Sequence, residues 1–175
     1  MLKKKTAVYL LSALILLLLT VATSASTSTG RVDASAGNTE VKTVYIHSLH
    51  SAGGHLTLQA DPIQWYEGPA ADQAFAKADP EGYAELGGAP DGYYIINDDE
   101  TLATYPVADN AKVIMQIHDR SGKIEDLDIH WNEEITLKDF VKEFAETGVI
   151  DLSQSPYHLT IQDGKVVTIV QQYTP

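Results

Sequence analysis

The chain has 175 residues, with 24 Asp and Glu against 12 Lys and Arg, a formal net charge of −12, and no cysteine. That charge balance repels nucleic acid and anionic lipid headgroups. The missing cysteine excludes a disulfide framework, a thiolate nucleophile and a thioether-linked lipid. At the N-terminus, Lys3, Lys4 and Lys5 precede an uncharged apolar run over residues 7–22, followed by the small-residue stretch Thr23-Ser24-Ala25-Ser26. Positive, apolar and small in that order is the pattern of a secretory signal peptide, here residues 1–25 with cleavage after Ala25. The run falls short of the roughly 20 residues that span a bilayer, although Thr6 and residues 23–26 could lengthen it, so a retained anchor is the alternative. Cleavage would remove three lysines and leave 9 Lys and Arg against 24 Asp and Glu. Residues 26–40, rich in Ser, Thr, Gly and Ala, read as a flexible tether. Residues 41–175 read as a single exported domain, secreted or otherwise extracytoplasmic.

Within that domain, residues 44–50 and 55–60 flank Ser51-Ala52-Gly53-Gly54 and predict a strand, a turn and a strand. Strict alternation puts Tyr45, His47, Leu49, Leu56, Leu58 and Ala60 on the core side, and Ser48, His50, His55, Thr57 and Gln59 opposite. Pro62 is expected to end the second strand. Pro69 opens a short helix to about residue 79, with Ala71, Ala74, Phe75 and Ala78 as its apolar stripe. Residues 80–92, with their glycines and prolines, read as a loop. Strands are expected at residues 93–96, 102–107 and 112–118, and alternation of Leu127, Ile129 and Trp131 predicts another over residues 126–131. A second helix starts at Thr136, with Asp139 resembling a capping box. Leu137, Phe140, Val141 and Phe144 form its stripe, and Gly148 is its stop. Asp163-Gly164 joins residues 157–162 to 165–171 as a type I′ hairpin. Strands and helices do not alternate one for one, which argues against a parallel doubly wound sheet. The expected fold is α+β: a small antiparallel, partly closed β-barrel-like sheet with two short helices.

Several short motifs occur together: Asp61-Pro62-Ile63-Gln64-Trp65, then Gly92-Tyr93-Tyr94-Ile95-Ile96-Asn97, and near the end Gly164-Lys165-Val166 with Tyr173 and Pro175. In this order they resemble a group of small, largely uncharacterised exported proteins of Gram-positive bacteria. The resemblance covers about residues 42–175 and implies an exported, barrel-like domain; it carries over no catalytic residue.

Chemistry-bearing residues are sparse. The sequence holds no G-x-S-x-G elbow, H-E-x-x-H pair or phosphate loop, and catalytic residues are expected to be none. His50 and His55 fall on one face at the tip of the first hairpin, where they could hold a divalent metal, with His118, His130 or a carboxylate completing the site. The competing reading is two solvated histidines and no cofactor. Residues 97–100 and the Asp126, Asp128, His130 face lack calcium-loop spacing and read as solvated acid. Trp65, Tyr66, Tyr93 and Tyr94 are the candidate ligand-binding residues, since exposed aromatics stack on sugars or grip peptides; core packing is the alternative. The expected function is a non-enzymatic extracytoplasmic binding or interaction module for an unknown cell-envelope or extracellular ligand. No nucleic acid is expected as partner, and membrane only if the N-terminal segment is retained. A weak metal-binding protein, or a small secreted hydrolase or peptidase inhibitor, is the alternative.

Overall fold

The computed structural model describes residues 37–175; the expected signal peptide and residues 26–36 of the expected tether lie outside that range. Alternating burial identifies β1 (Thr39–Ala52) and β2 (His55–Glu67), which pair antiparallel through Gly53-Gly54. Both glycines have positive φ, 60° and 83°, the backbone that a two-residue hairpin turn demands. Then follow α1 (Pro69–Ala78), α2 (Pro80–Leu86), β3 (Tyr93–Ile96), β4 (Ala103–Ile117) and β5 (Ile129–Ile135). The chain ends with α3 (Leu137–Phe144) and the hairpin of β6 (Pro156–Gln162) and β7 (Lys165–Gln171). Asp163 and Gly164 turn that last hairpin with positive φ, as their sequence foretells.

Hydrogen bonding runs β3-β2-β1-β6-β7-β4-β5, and β4 also pairs with β2. Strands β2, β1, β6, β7 and β4 therefore close a five-stranded barrel, with β3 extending from β2 and β5 from β4. The sheet is mixed rather than antiparallel, because β7 lies parallel to β4. A parallel pair needs a long crossover, and the route from β4 through β5, α3 and β6 supplies it. Val44, Ile46, Leu58, Ala60, Val113, Leu159, Ile161, Val166 and Ile169 are all buried in one core. Each buried Val, Leu or Ile side chain stabilises by about 1.5–3 kcal/mol. From α3, Phe140 joins the same core against Phe144 and Tyr157, at ring distances of 5.7 and 5.9 Å. Thr136 caps that helix by accepting from the Asp139 amide at 3.1 Å, while its hydroxyl donates to the Asp139 carboxylate at 2.6 Å.

Several expectations fail for local reasons. Residues 39–40, assigned to the tether, already pair with β6 as the start of β1. A bulge at His47 shifts the register between Ile46 and Ser48, so Val44 and Ile46 point inward while Tyr45 and His47 face out. Pro62 does not end β2. The outer edge of β2 pairs with β4 over residues 57–60 and with β3 over 64–67. Pro62 falls in the gap between them, where that edge has no ladder bond to lose. Residues 80–92 hold a third helix, α2, because Asp79 accepts from the Gly82 amide at 2.9 Å and Gly87 ends it in the left-handed region. The two strands read at 102–107 and 112–118 are one, β4, shifted in register against β7 between Val107 and Lys112. Residues 124–126 form a single 3-10 turn, which delays β5 to Ile129. Finally α3 stops at Phe144, with Ala145 as its cap rather than Gly148, and Phe144 is only partly buried.

Candidate functional site

The bulge in β1 builds a cleft on the outer wall of the barrel. It turns Tyr45 outward directly opposite Asp61 of β2, and the two line a cleft of about 320 Å³ with His47, Glu100, Ser153 and Gln154. Asn97 donates from Nδ2 to Asp61 Oδ2 at 2.6 Å. The other oxygen, Oδ1, is buried and has no hydrogen-bond partner among the described residues. Asp99, two residues after Asn97, is occupied by its own loop: Thr101 donates to it from both backbone and hydroxyl, which holds its carboxyl below the usual range. Burial, and then the nearby Tyr93 and Asp61, push the Tyr45 phenol up, so Tyr45 presents a neutral hydroxyl to the cleft.

The paired ends of β2 and β3 carry an aromatic wall. Strand pairing sets Trp65 opposite Ile95 and Glu67 opposite Tyr93, so Trp65 and Tyr93 share one face and stack with centroids 4.7 Å apart and planes 12° apart. The indole donates to Glu67 at 2.9 Å, and His158 meets Trp65 edge-on at 6.2 Å. Tyr66 and Tyr94 face each other on the opposite side of the same two strands. There Tyr94 lies 5.4 Å from Phe75 of α1, and the Tyr66 hydroxyl donates to Gln64 at 2.7 Å. The four aromatics singled out in the sequence are thus divided: Trp65 and Tyr93 stack on one face, and Tyr66 and Tyr94 lie on the side that α1 covers.

A second polar centre was not legible in the sequence. His118, just past the end of β4, is 4 % exposed, and carboxylates flank both edges of its ring. Nδ1 is 2.7 Å from Glu143 of α3 and Nε2 is 3.3 Å from Glu133 of β5. The second contact is an ion-pair distance without hydrogen-bond alignment, and it leaves Nε2 unsatisfied. Glu133 is held mainly by Arg120, whose Nε donates at 2.9 Å, and this pairing lowers the Glu133 carboxyl below its usual range. Burial moves Glu143 the other way: its carboxyl is raised, with desolvation outweighing the attraction of His118. Nearby, two buried glutamines replace ladder bonds where β4 bulges. Gln171 Oε1 accepts from the Gln116 and Ile117 amides at 2.9 Å each, and Gln116 Oε1 accepts from Asn132 at 2.8 Å. His118, Glu133 and Glu143 lie far apart in sequence on three elements; only the α3 stripe hinted that Glu143 sits beside buried Phe140.

His50 and His55 are both exposed. The register pairs His50 with Thr57 and Ala52 with His55, which keeps the two histidines on one face as diagonal neighbours. His118 and His130, named as completing ligands, lie instead beside Glu133. Among the described residues no group of three or more His, Cys, Asp or Glu side chains is placed to hold a metal ion. Also among them, no helix is long and apolar enough to cross a membrane. Comparison with known proteins adds no relative: no family model, no curated protein and no solved structure matches the chain.

Proposed function

We propose that the chain is a non-enzymatic extracytoplasmic binding module that takes its ligand on the outer wall of its barrel, in the cleft between Tyr45, Asp61 and Glu100. Export is inferred from the order of lysines, apolar residues and small residues in 1–25. Buried side chains of the described residues pack into the barrel interior, whereas larger barrels enclose a chamber for ligands. The observation that carries the site is the cleft itself, about 320 Å³ lined by Tyr45, Asp61 and Glu100, with Asn97 fixing the Asp61 carboxylate at 2.6 Å. By contrast His118, the best candidate for acid–base chemistry, has both ring nitrogens turned to carboxylates and Nε2 shut from solvent. That favours a structural role over catalysis.

A thermal-shift screen of amino acids, short peptides and saccharides tests the reading, run on wild type beside Tyr45→Ala and Trp65→Ala. Stabilisation by at least one compound in wild type, lost in Tyr45→Ala, is the expected result. A shift of equal size in all three proteins would move the site elsewhere. The hairpin-tip histidines support a second reading as a weak divalent-metal site, because they share a face without any rearrangement of the strands.

A further inference from the structure

We infer that the His118 centre is a pH-sensitive latch: it fixes the edge strand β5 to the barrel while the imidazole carries both protons, and releases it when one leaves. The latch shares no residue with the ligand cleft. Geometry decides it. His118 is 4 % exposed, with Nδ1 2.7 Å from Glu143 of α3 and Nε2 3.3 Å from Glu133 of β5. Among the described residues neither ring nitrogen has any other hydrogen-bond partner. An imidazolium presents an N–H to each carboxylate, whereas a neutral imidazole has one N–H and one lone pair. A single proton therefore serves one carboxylate and turns a lone pair on the other.

The Glu143 contact is the shorter and is a true hydrogen bond, so it keeps the remaining proton. Glu133 is then left facing the Nε2 lone pair, and Arg120, whose Nε donates to it at 2.9 Å, remains its partner. β5 is the element free to yield. It is the last strand of the sheet, bonded to β4 alone, and its ladder is interrupted between Met115 and Ile117. α3 is held by the fully buried Phe140, and elements with few buried contacts open first. Other charged groups surround the ring. On its own loop stand Asp119 and Arg120, the latter donating to the His118 carbonyl at 3.4 Å. Asp139 and Lys142 of α3, with Glu146 just beyond it, line the adjacent cleft of about 500 Å³. His130 of β5 lies 3.5 Å from Glu133. The raised Glu143 carboxyl acts in the same direction as the imidazole: its contribution is fully present below the ordinary 4.5 and is lost as pH rises through the raised value. The latch therefore loosens as pH rises.

The test is amide hydrogen exchange of the purified protein, read by NMR over about pH 5 to 8, where histidines change charge. The His118 ring nitrogens are observed in the same samples. With intrinsic exchange rates divided out, the β5 amides should lose protection at least about tenfold as His118 gives up a proton, the equivalent of one hydrogen bond to a charged group. Strands β1 and β6 should keep theirs. Glu133→Gln, which can offer an amide N–H to the bare Nε2, should hold β5 protection constant over the same range. His118→Gln, which cannot titrate, should be equally flat; where it fails to fold, Glu133→Gln carries the same comparison. His130→Gln should retain the wild-type loss. A His118 ring that keeps one protonation state throughout, or β5 protection that ignores its proton loss, would overturn the latch. So would a transition that disappears in His130→Gln. Equal loss of protection in β1, β5 and β6 would also overturn it, since that reports global stability and not the release of one strand.

Discussion

His118 and Asp61 each put a titratable side chain beneath the surface, and the fold surrounds them in opposite ways. Around His118 the acids come with bases: Glu133 has Arg120, Glu143 has the imidazole itself, and two glutamines close the adjacent backbone. Three elements, β4, β5 and α3, are tied together there. Asp61 has one amide partner and no cation, and its second oxygen has no donor. The first arrangement spends its polar groups on holding secondary structure together. The second leaves a carboxylate without a cation at the lining of a cleft. Each centre keeps one buried atom without a hydrogen-bond partner among the described residues, His118 Nε2 and Asp61 Oδ1, so what separates the two is the pairing of charge.

Four measurements would break or sharpen that contrast. The largest effect is expected at Phe140, fully buried on the helix that carries Glu143. Phe140→Ala should cost about 3–5 kcal/mol in urea unfolding. Phe144→Ala, on a ring only partly buried, should cost less than half of that. Equal costs would mean that α3 is not anchored through Phe140.

Next, His118→Leu should destabilise by roughly 2–4 kcal/mol, because it strands the buried Glu143 carboxylate without its partner. Asp61→Asn should stay within about 1 kcal/mol of wild type, since it removes an acceptor that was already unmatched. If the two variants lose similar stability, the centres are of one kind and the contrast fails.

The pH dependence of the His118 centre has two opposite parts. Glu143 has a raised folded-state value, so its contribution is fully present below the ordinary 4.5 and is lost as pH rises through the raised value. Glu133 has a lowered value; its contribution is present above 4.5 and is lost as pH falls through the lowered one. Glu143→Gln should therefore gain stability relative to wild type as pH rises above 4.5, and Glu133→Gln should lose it as pH rises toward 4.5 and keep a constant difference above it. Denaturant midpoints across that range would show both slopes, and parallel curves for the two variants would contradict them.

The smallest effect is expected at the hairpin tip. Replacing His50 and His55 together by Ala should change stability by less than about 0.5 kcal/mol, both being exposed. Two imidazoles leave half of zinc's usual four-ligand shell to water. Calorimetry with Zn²⁺ should give similar weak heats for wild type and the double variant. A clear difference between them would establish the metal reading.

What the sequence reveals follows from how local the cause is. The Asp163-Gly164 hairpin, α1 and the Phe140 stripe are set by neighbours within a few residues, and each is where the sequence places it. The barrel-like sheet is also legible, from the number and spacing of strands. Its mixed character is not, because the β4–β7 pairing joins segments far apart in the chain. The bulge at His47 hides equally well: one extra residue inverts the assignments up to it, so Tyr45 and His47 face out, while Leu49 beyond it keeps its expected core side, and no residue type there announces it. For the same reason the sequence points to four aromatics but not to their division between two faces. Nor does it point to the surroundings of Asp61, which bring Asn97 and the distant residues Ser153 and Gln154 together.

The strand that closes the barrel is the last one in the chain. Until β7 exists, β6 and β4 have bare edges facing each other, and the ring cannot form. Contacts between such distant segments are formed against a large loop-closure entropy, so closure should be the slow event in folding. A nascent chain of this sequence would remain open until β7 emerges, which would suit the export proposed above. Loss of the last ten residues would leave two unpaired strand edges, an invitation to pair with another chain.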